Sequence, residues 1–285
     1  MNERMKIENK RFGAERALYN LTAAEVISCR FEGEEDGESA MKEGRDILVR
    51  DCFFALRYPM WHVDKLSMEN CEMTETCRAA LWYDSRVNIR DCRMNGIKAV
   101  RECKDVDISR SEIDSPEFGW KSENIVLEAV RIKSEYAFLF AKNIRAVNLD
   151  FSGKYSFQYV ENMRIENSRL HTKDAFWHSK NVTVSDSVVE GEYLGWYSEN
   201  LTFVRCHIKG TQPLCYCKGL KLIDCTMEDA DLAFEYSEAD VSVKGEILSV
   251  KNPLSGRIEA DGFGKIILSD SVYKNEAEII DRTKL

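Results

Sequence analysis

The chain has 285 residues, enough for one large domain or two small ones, and carries a formal net charge of −9 with 31% charged side chains. No Lys/Arg run provides an electrostatic footprint for nucleic acid or an anionic membrane, and no apolar stretch approaches the roughly 18 residues that a spanning helix needs. Both partners are therefore excluded from the functional reading.

In chain order, the opening MNERMKIENKRFGAER is polar and lacks the apolar core and cleavage site of a secretory signal, so a cytoplasmic location is expected. Ten cysteines in such a chain read as reduced thiols that favour the interior. A single domain is expected over 1–285: an N-terminal cap and first rung over 1–22, with residues 1–16 covering that rung, repeating rungs over 23–238, and capping strands over 239–285. GEEDGESAMKEGR, at 33–45, reads as a longer early loop.

The middle of the chain repeats. Units of 19 residues begin at Asn124, Asn143, Asn162, Asn181 and Asn200, and the frame extends back through Asp105, Arg86, Lys65 and Asp46 and forward through Gly219. Such self-similarity marks a solenoid. The second and fourth positions are apolar (Ile125 and Leu127, Val182 and Val184), as in a half-buried strand. The seventh and ninth form a second pair, with Cys29, Cys52, Cys71, Cys92, Cys206 and Cys225 sharing the seventh. A small-then-large apolar pair follows at the fourteenth and fifteenth, as in Ala137-Phe138 and Ala175-Phe176. Three short strands per turn over about a dozen rungs make an all-β, triangular parallel β-helix, each rung about 4.8 Å from the next. A leucine-rich repeat is the rival, because LTFVRCHI fits its signature, but such repeats are usually longer and place a helix where this chain carries aromatic and β-favouring residues. The lack of a hexapeptide pattern argues against the left-handed form.

Across nearly its whole length the chain resembles a bacterial family of unknown function. The resemblance rests on GAERALYN (13–20), GESAMKE (37–43), YPMWHV (58–63), AALWY (79–83), TQPLCYCKGLKLIDC (211–225), DLAFEYSEADV (231–241) and VKNPLSGRI (250–258). It implies a single-stranded, right-handed, pectin-lyase-like β-helix. The wider superfamily includes polysaccharide lyases and hydrolases that bind acidic glycans on one long face, so an enzymatic role would be a lyase or hydrolase by fold analogy alone. This chain departs from those enzymes in lacking a recognisable Asp cluster for calcium and an export signal.

All five tryptophans, Trp61, Trp82, Trp120, Trp177 and Trp196, fall at the sixteenth position. Strict alternation after a core fifteenth position points them outward, as a candidate platform for sugar rings. The alternative is packing, by stacking along the ladder or under a neighbouring loop or second copy. The seventeenth position, which includes Glu43, His62, Glu102, Lys121 and His178, should by the same phase point inward, unless the chain turns there or Glu102 pairs with Lys121. Glu43, His62, Glu102 and His178 are candidate acids or bases, and Lys42 and Arg101 candidate partners for a substrate carboxylate. Cys206, His207, Cys215, Cys217 and Cys225 crowd two rungs without paired zinc-knuckle spacing, so no metal and no cofactor is expected. The Asn column reads as a structural ladder of side-chain amides at a turn of unusual backbone angle. Two functions follow: a carbohydrate-binding or carbohydrate-active solenoid, and a non-enzymatic scaffold or self-associating protein using the same aromatic face.

Overall fold

The computed structural model describes residues 4–33 and 37–285, in two compact units, Met1–Arg145 and Ala146–Leu285. The fold is a parallel β-solenoid of the right-handed type, about 14 turns in all. The described helices are two short 3₁₀ turns, Glu75–Cys77 and Arg282–Lys284, which removes the leucine-rich alternative.

In the first unit one face stacks Met5–Glu8, Thr22–Ile27, Arg45–Arg50, Asp64–Glu69, Ser85–Arg90, Lys104–Ser109 and Glu123–Glu128 in parallel. Their register sets Leu66 against Val87, Val87 against Val106 and Val106 against Ile125, all buried, as the second-position column requires. Like therefore sits over like: Phe12, Phe31 and Phe54 stack with centroids 5.1 and 4.6 Å apart. Met5–Glu8 is thus a strand of the solenoid with Ile7 buried, whereas a covering cap was expected over 1–16; residues 1–3 of that stretch lie outside the described residues. Residues 34–36 of the expected long loop also lie outside them. Ala40 and Met41 rejoin the core, tied in by Leu18 N–H to Ala40 O and Met41 N–H to Pro59 O.

In the second unit Glu161–Glu166, Lys180–Ser185, Glu199–Val204 and Leu220–Glu228 continue the pattern. The region expected to cap carries it on, since Glu238–Val243, Ser255–Ala260 and Glu278–Asp281 join the same sheet. Third-side strands occur in the first unit, as Met60–Trp61, Leu81–Trp82 and Val100–Arg101. In the second unit residues 155–159, 174–178, 193–197 and 212–216 are turns instead. The reason is backbone: Tyr155, Phe157 and Tyr159 all have φ between 48° and 59°, and Asp174, Phe176 and His178 between 52° and 63°. Alternate residues in the left-handed region curl the chain too tightly for an extended ladder.

The cysteine column has a polar task. The residue before it is left-handed (Asp51, Asn70, Asp91, Asn167), which takes the next amide off the strand ladder into the interior. The seventh-position side chain one rung on accepts it: Cys71 N–H to Cys92 Sγ at 3.3 Å, Cys92 N–H to Ser111 Oγ at 3.0 Å, Leu149 N–H to Ser168 Oγ at 2.9 Å. The same group donates to a carbonyl, as Ser168 Oγ does to Glu166 O at 2.7 Å. Cys and Ser interchange here because each is small and both donates and accepts. All ten cysteines are free and buried.

Ser168→Ala leaves the Leu149 amide buried without a partner and should cost about 1–3 kcal/mol in urea denaturation. Ser168→Cys, which restores the acceptor used at Cys92, should lose clearly less. Equal stabilities of Ser168→Ala and the parent protein would contradict the ladder.

Candidate functional site

The corner between the fifteenth position and the next Asn carries the candidate residues, and its direction differs from strict alternation in one column. The fifteenth position is buried and the indoles at the sixteenth are half-buried, but the seventeenth is turned outward. His62, Tyr83, Lys121, Phe140, Tyr159, His178 and Tyr197 there are exposed, each with φ between 51° and 59°. Left-handed backbone at position seventeen, joined from Gly119 onward by position fifteen, resets the two-residue period. The inward column is the eighteenth, where Val63, Asp84, Cys103, Ser122, Ala141, Val160, Ser179, Ser198, Cys217 and Ser237 are all buried.

In Met1–Arg145, Trp61 and Trp82 stack at 5.2 Å and 9°. Lys42 Nζ lies 3.9 Å from the Trp61 ring centre, and the Arg101 guanidinium 5.3 Å from that of Trp82. Cations thus cover the outer ends of the indole pair, and each ring has neighbours on both faces. Neither can serve as the open platform the sequence suggested. Beside them run Glu43, His62, Tyr83 and Glu102, on successive rungs. Glu43 Oε1 is 3.6 Å from His62 Nδ1, and the His62 and Tyr83 rings meet edge-on at 5.1 Å. Glu102 bonds Arg101 at 2.9 Å rather than pairing with Lys121. Partial burial would raise its carboxyl, but the hydrogen bonds from Arg101 and Tyr83 prevail and hold it below the usual range. Glu43 and Glu102 stand three rungs apart, about 14 Å at rung spacing, too far for the paired carboxylates of a retaining or inverting glycosidase.

In Ala146–Leu285 the outward column is an aromatic file. Tyr159 and His178 stack at 4.8 Å, His178 and Tyr197 at 5.1 Å, and Tyr197 and Tyr216 at 4.8 Å, with planes within 12° of parallel. The file lies along the corner with Tyr159 41% and Tyr197 45% exposed. Because the rings stack on each other, they offer edges and hydroxyls to solvent, not faces. Trp177 and Trp196 stack beside them at 5.3 Å and 4°, their Nε1–H groups donating to Tyr193 O and Gln212 O at 2.6 and 2.8 Å. Trp120 in the first unit donates likewise to Tyr136 O at 2.6 Å. His178 is therefore a member of the file in the second unit, while Lys42, Glu43, His62, Arg101 and Glu102 share one corner of the first.

The Asn ladder forms as expected: Asn124 Nδ2 donates to Asp105 Oδ1 at 2.8 Å, Asn143 to Asn124 at 3.0 Å, Asn181 to Asn162 at 3.2 Å and Asn200 to Asn181 at 3.1 Å. The cysteines near His207 are spent on packing and carbonyl bonds, such as Cys217 Sγ to Gly195 O at 3.2 Å. Among the described residues no three His, Cys, Asp or Glu side chains converge as a metal site, and no helix is long and apolar enough to cross a membrane.

Asp84 escaped the sequence reading. It occupies the eighteenth column, 1% exposed, and its Oδ1 accepts Val63 N–H at 2.7 Å as Ser122 Oγ accepts Cys103 N–H at 3.1 Å. Its Oδ2 has no partner, and burial pushes the carboxyl well above the carboxylate range. The recurrence of Ser and Cys at this column, matching the seventh, was the available signal.

A family model described as a protein of unknown function, DUF3737, matches residues 5–280. The chain belongs to the DUF3737 family. No curated protein matches it. Among solved structures this DUF3737 chain is similar to PfbA, a surface adhesin of Streptococcus pneumoniae, at 9% identity and a TM-score of 0.37, covering 90% of this chain and 70% of that one. It is similar also to the A-module of the Azotobacter vinelandii mannuronan C-5 epimerase AlgE4 (10% identity, TM-score 0.27, 96% and 89% covered) and to the catalytic domain of a GH87 α-1,3-glucanase (10% identity, TM-score 0.27, 96% and 63% covered). At these scores the likenesses carry no argument about what the chain binds or does.

Asp84 yields a pH signature. Its folded-state pKa lies above the unfolded value of about 3.9, so its contribution is fully present below that pH and is lost as pH rises toward the folded pKa, by about 1.4 kcal/mol per unit. Asp84→Asn, which keeps the acceptor for Val63, should be more stable than the parent at pH 7, and the gap should close toward pH 4. Parallel stability-against-pH curves for the two proteins would exclude a buried neutral acid.

Proposed function

We propose that the protein binds an extended carbohydrate along the aromatic file of Ala146–Leu285, edge-on, through hydroxyl and imidazole groups. The observation that carries this reading is the file itself: Tyr159, His178, Tyr197 and Tyr216 present polar edges at a repeat of 4.8 to 5.1 Å, in register with a rigid solenoid. A row of polar ring edges, three phenols and one imidazole, at near-constant spacing suits a repeating polymer, in which successive sugars meet similar surroundings. The rings are pre-ordered by stacking, so little side-chain entropy is lost on binding. The Trp column supports the file from beside it. Binding rather than cleavage is proposed because the four residues of the file include no carboxylate, and the candidate acids Glu43 and Glu102 belong to Met1–Arg145.

A cytoplasmic, reducing location accords with the cysteine ladder. Cys29 and Cys206 act as thiol donors to Ile27 O and Val204 O, and neighbouring ladder cysteines lie one rung apart, within disulfide reach.

The test is Tyr197→Phe against Tyr197→Ala in affinity electrophoresis and calorimetry over a panel of oligosaccharides. Edge-on binding predicts that Tyr197→Phe, which keeps the ring and removes the hydroxyl, weakens affinity roughly 2- to 10-fold, the worth of one neutral hydrogen bond. If Tyr197→Phe binds as the parent does while Tyr197→Ala fails, ring stacking is the mode and the edge-on reading is wrong. Absence of glycan binding together with a concentration-dependent mass would favour self-association through the same face.

A further inference from the structure

We infer that the segment 270–274 closes one end of the aromatic file, so that the file receives the terminus of a glycan chain and not its interior; the inference rests on the binding reading above. The column itself ends at Tyr236. Each ring residue's N–H donates to the carbonyl just before the same column on the next rung, as Tyr197 N does to Cys215 O at 3.3 Å and Tyr216 N to Glu235 O at 2.7 Å. Tyr236 N donates to Asn252 O at 3.0 Å, which makes Pro253 the next member, and Pro253 is buried. A buried proline offers neither an aromatic edge nor an N–H.

The place beyond Tyr236 is taken by a ring from later in the chain. Tyr216 and Tyr236 lie 6.0 Å apart with planes at 48°, so the regular stack loosens here, and Tyr273 meets Tyr236 at 5.1 Å and 88°. Val272 N–H donates to the Tyr236 hydroxyl at 3.3 Å, so the last hydroxyl of the column is engaged by the chain's own backbone. The segment is anchored on both sides of Pro253. Asp270 accepts Asn252 Nδ2 at 2.6 Å and pairs with Lys251 Nζ at 3.3 Å, and Glu276 N–H donates to Leu254 O at 2.8 Å. Between the anchors Ser271 Oγ accepts Tyr273 N–H at 3.2 Å and donates to Tyr273 O at 2.7 Å, which braces the turn.

This braced turn projects. Val272 is 81% and Tyr273 61% exposed, against 41% for Tyr159 and 45% for Tyr197. A chain lying along the ring edges therefore runs into Val272 and Tyr273 and passes only by displacing them, against an ion pair and a bond to the buried Asn252 amide. A glycan has two unlike ends, and a file closed at one end admits one of them. Each chain, however long, then offers a single site.

The experiment counts the proteins that one glycan chain carries. The full chain is titrated with linear gluco-, galacto- and uronic-acid oligosaccharides, short and long, and the complexes are sized by sedimentation velocity and native mass spectrometry. The expected result is one protein per oligosaccharide at every length, in whichever series binds. A number of bound proteins that grows with oligosaccharide length would overturn this inference and leave glycan binding standing; binding of none would overturn the reading beneath it. Val272→Gly combined with Tyr273→Gly removes both projecting side chains and leaves the anchors, so the fold is kept. This variant should bind short oligosaccharides within about twofold of the parent, less than one neutral hydrogen bond is worth, while long ones come to carry more than one protein. A larger loss on short oligosaccharides would make Tyr273 a ligand contact and not a stop, and an unchanged count on long ones would mean that these side chains do not close the file; either result overturns the inference.

Discussion

Parallel strands in register place every side chain about 4.8 Å from its counterpart one rung away, and the rest of this protein follows from that constraint. A column must tolerate itself. Aromatic rings can do so by stacking, as Phe31 does on Phe54, and amides can by linking oxygen to nitrogen, as Asn181 does to Asn162. Small thiols and hydroxyls do so by accepting one rung's amide and donating to a carbonyl, as Ser168 does. Like charges cannot, so charged columns alternate sign or pair: Arg110 with Asp91, Arg205 with Asp186, Lys180 with Glu199.

The same constraint decides what the aromatic corner can do. A sugar platform needs an open ring face, and a ladder covers faces with the next rung. Trp61 and Trp82 illustrate the closed end of this logic, covered by each other and by Lys42 and Arg101. Tyr159, His178, Tyr197 and Tyr216 illustrate its useful side, because stacking fixes the rings and leaves a regular line of edges. The two units thus carry different chemistry in corresponding columns, charged with Glu43, His62 and Glu102 in one, largely neutral and aromatic in the other.

Much of this was legible in the sequence because a 19-residue period fixes register directly. The Ile/Val/Leu columns, the buried cysteine column and the Asn ladder could each be read from the alignment of the chain with itself. The seventeenth column could not. Its outward turn depends on left-handed backbone at residues such as Phe176 and His178, and aromatic and β-branched side chains give no sign of that conformation. Strict alternation therefore carried His62 and Glu102 inward and hid Asp84, whose column is the true inward one. Those left-handed residues also replace the third strand by a turn in 174–178 and 193–197. The N-terminal strand was missed for a simpler reason: Lys6 and Glu8 flank a single buried residue, Ile7, too little apolar pattern to signal a rung.

Hydrogen–deuterium exchange of the full chain, with and without linear oligosaccharides at saturating concentration, tests the account most directly. Protection confined to peptides spanning 155–159, 174–178, 193–197 and 212–216 is the predicted result, because the ligand would lie across those four turns. Protection concentrated on the strands Arg169–His171, Val188–Glu190 and His207–Lys209, with the turns unchanged, would contradict it and move the binding face to another side of the solenoid.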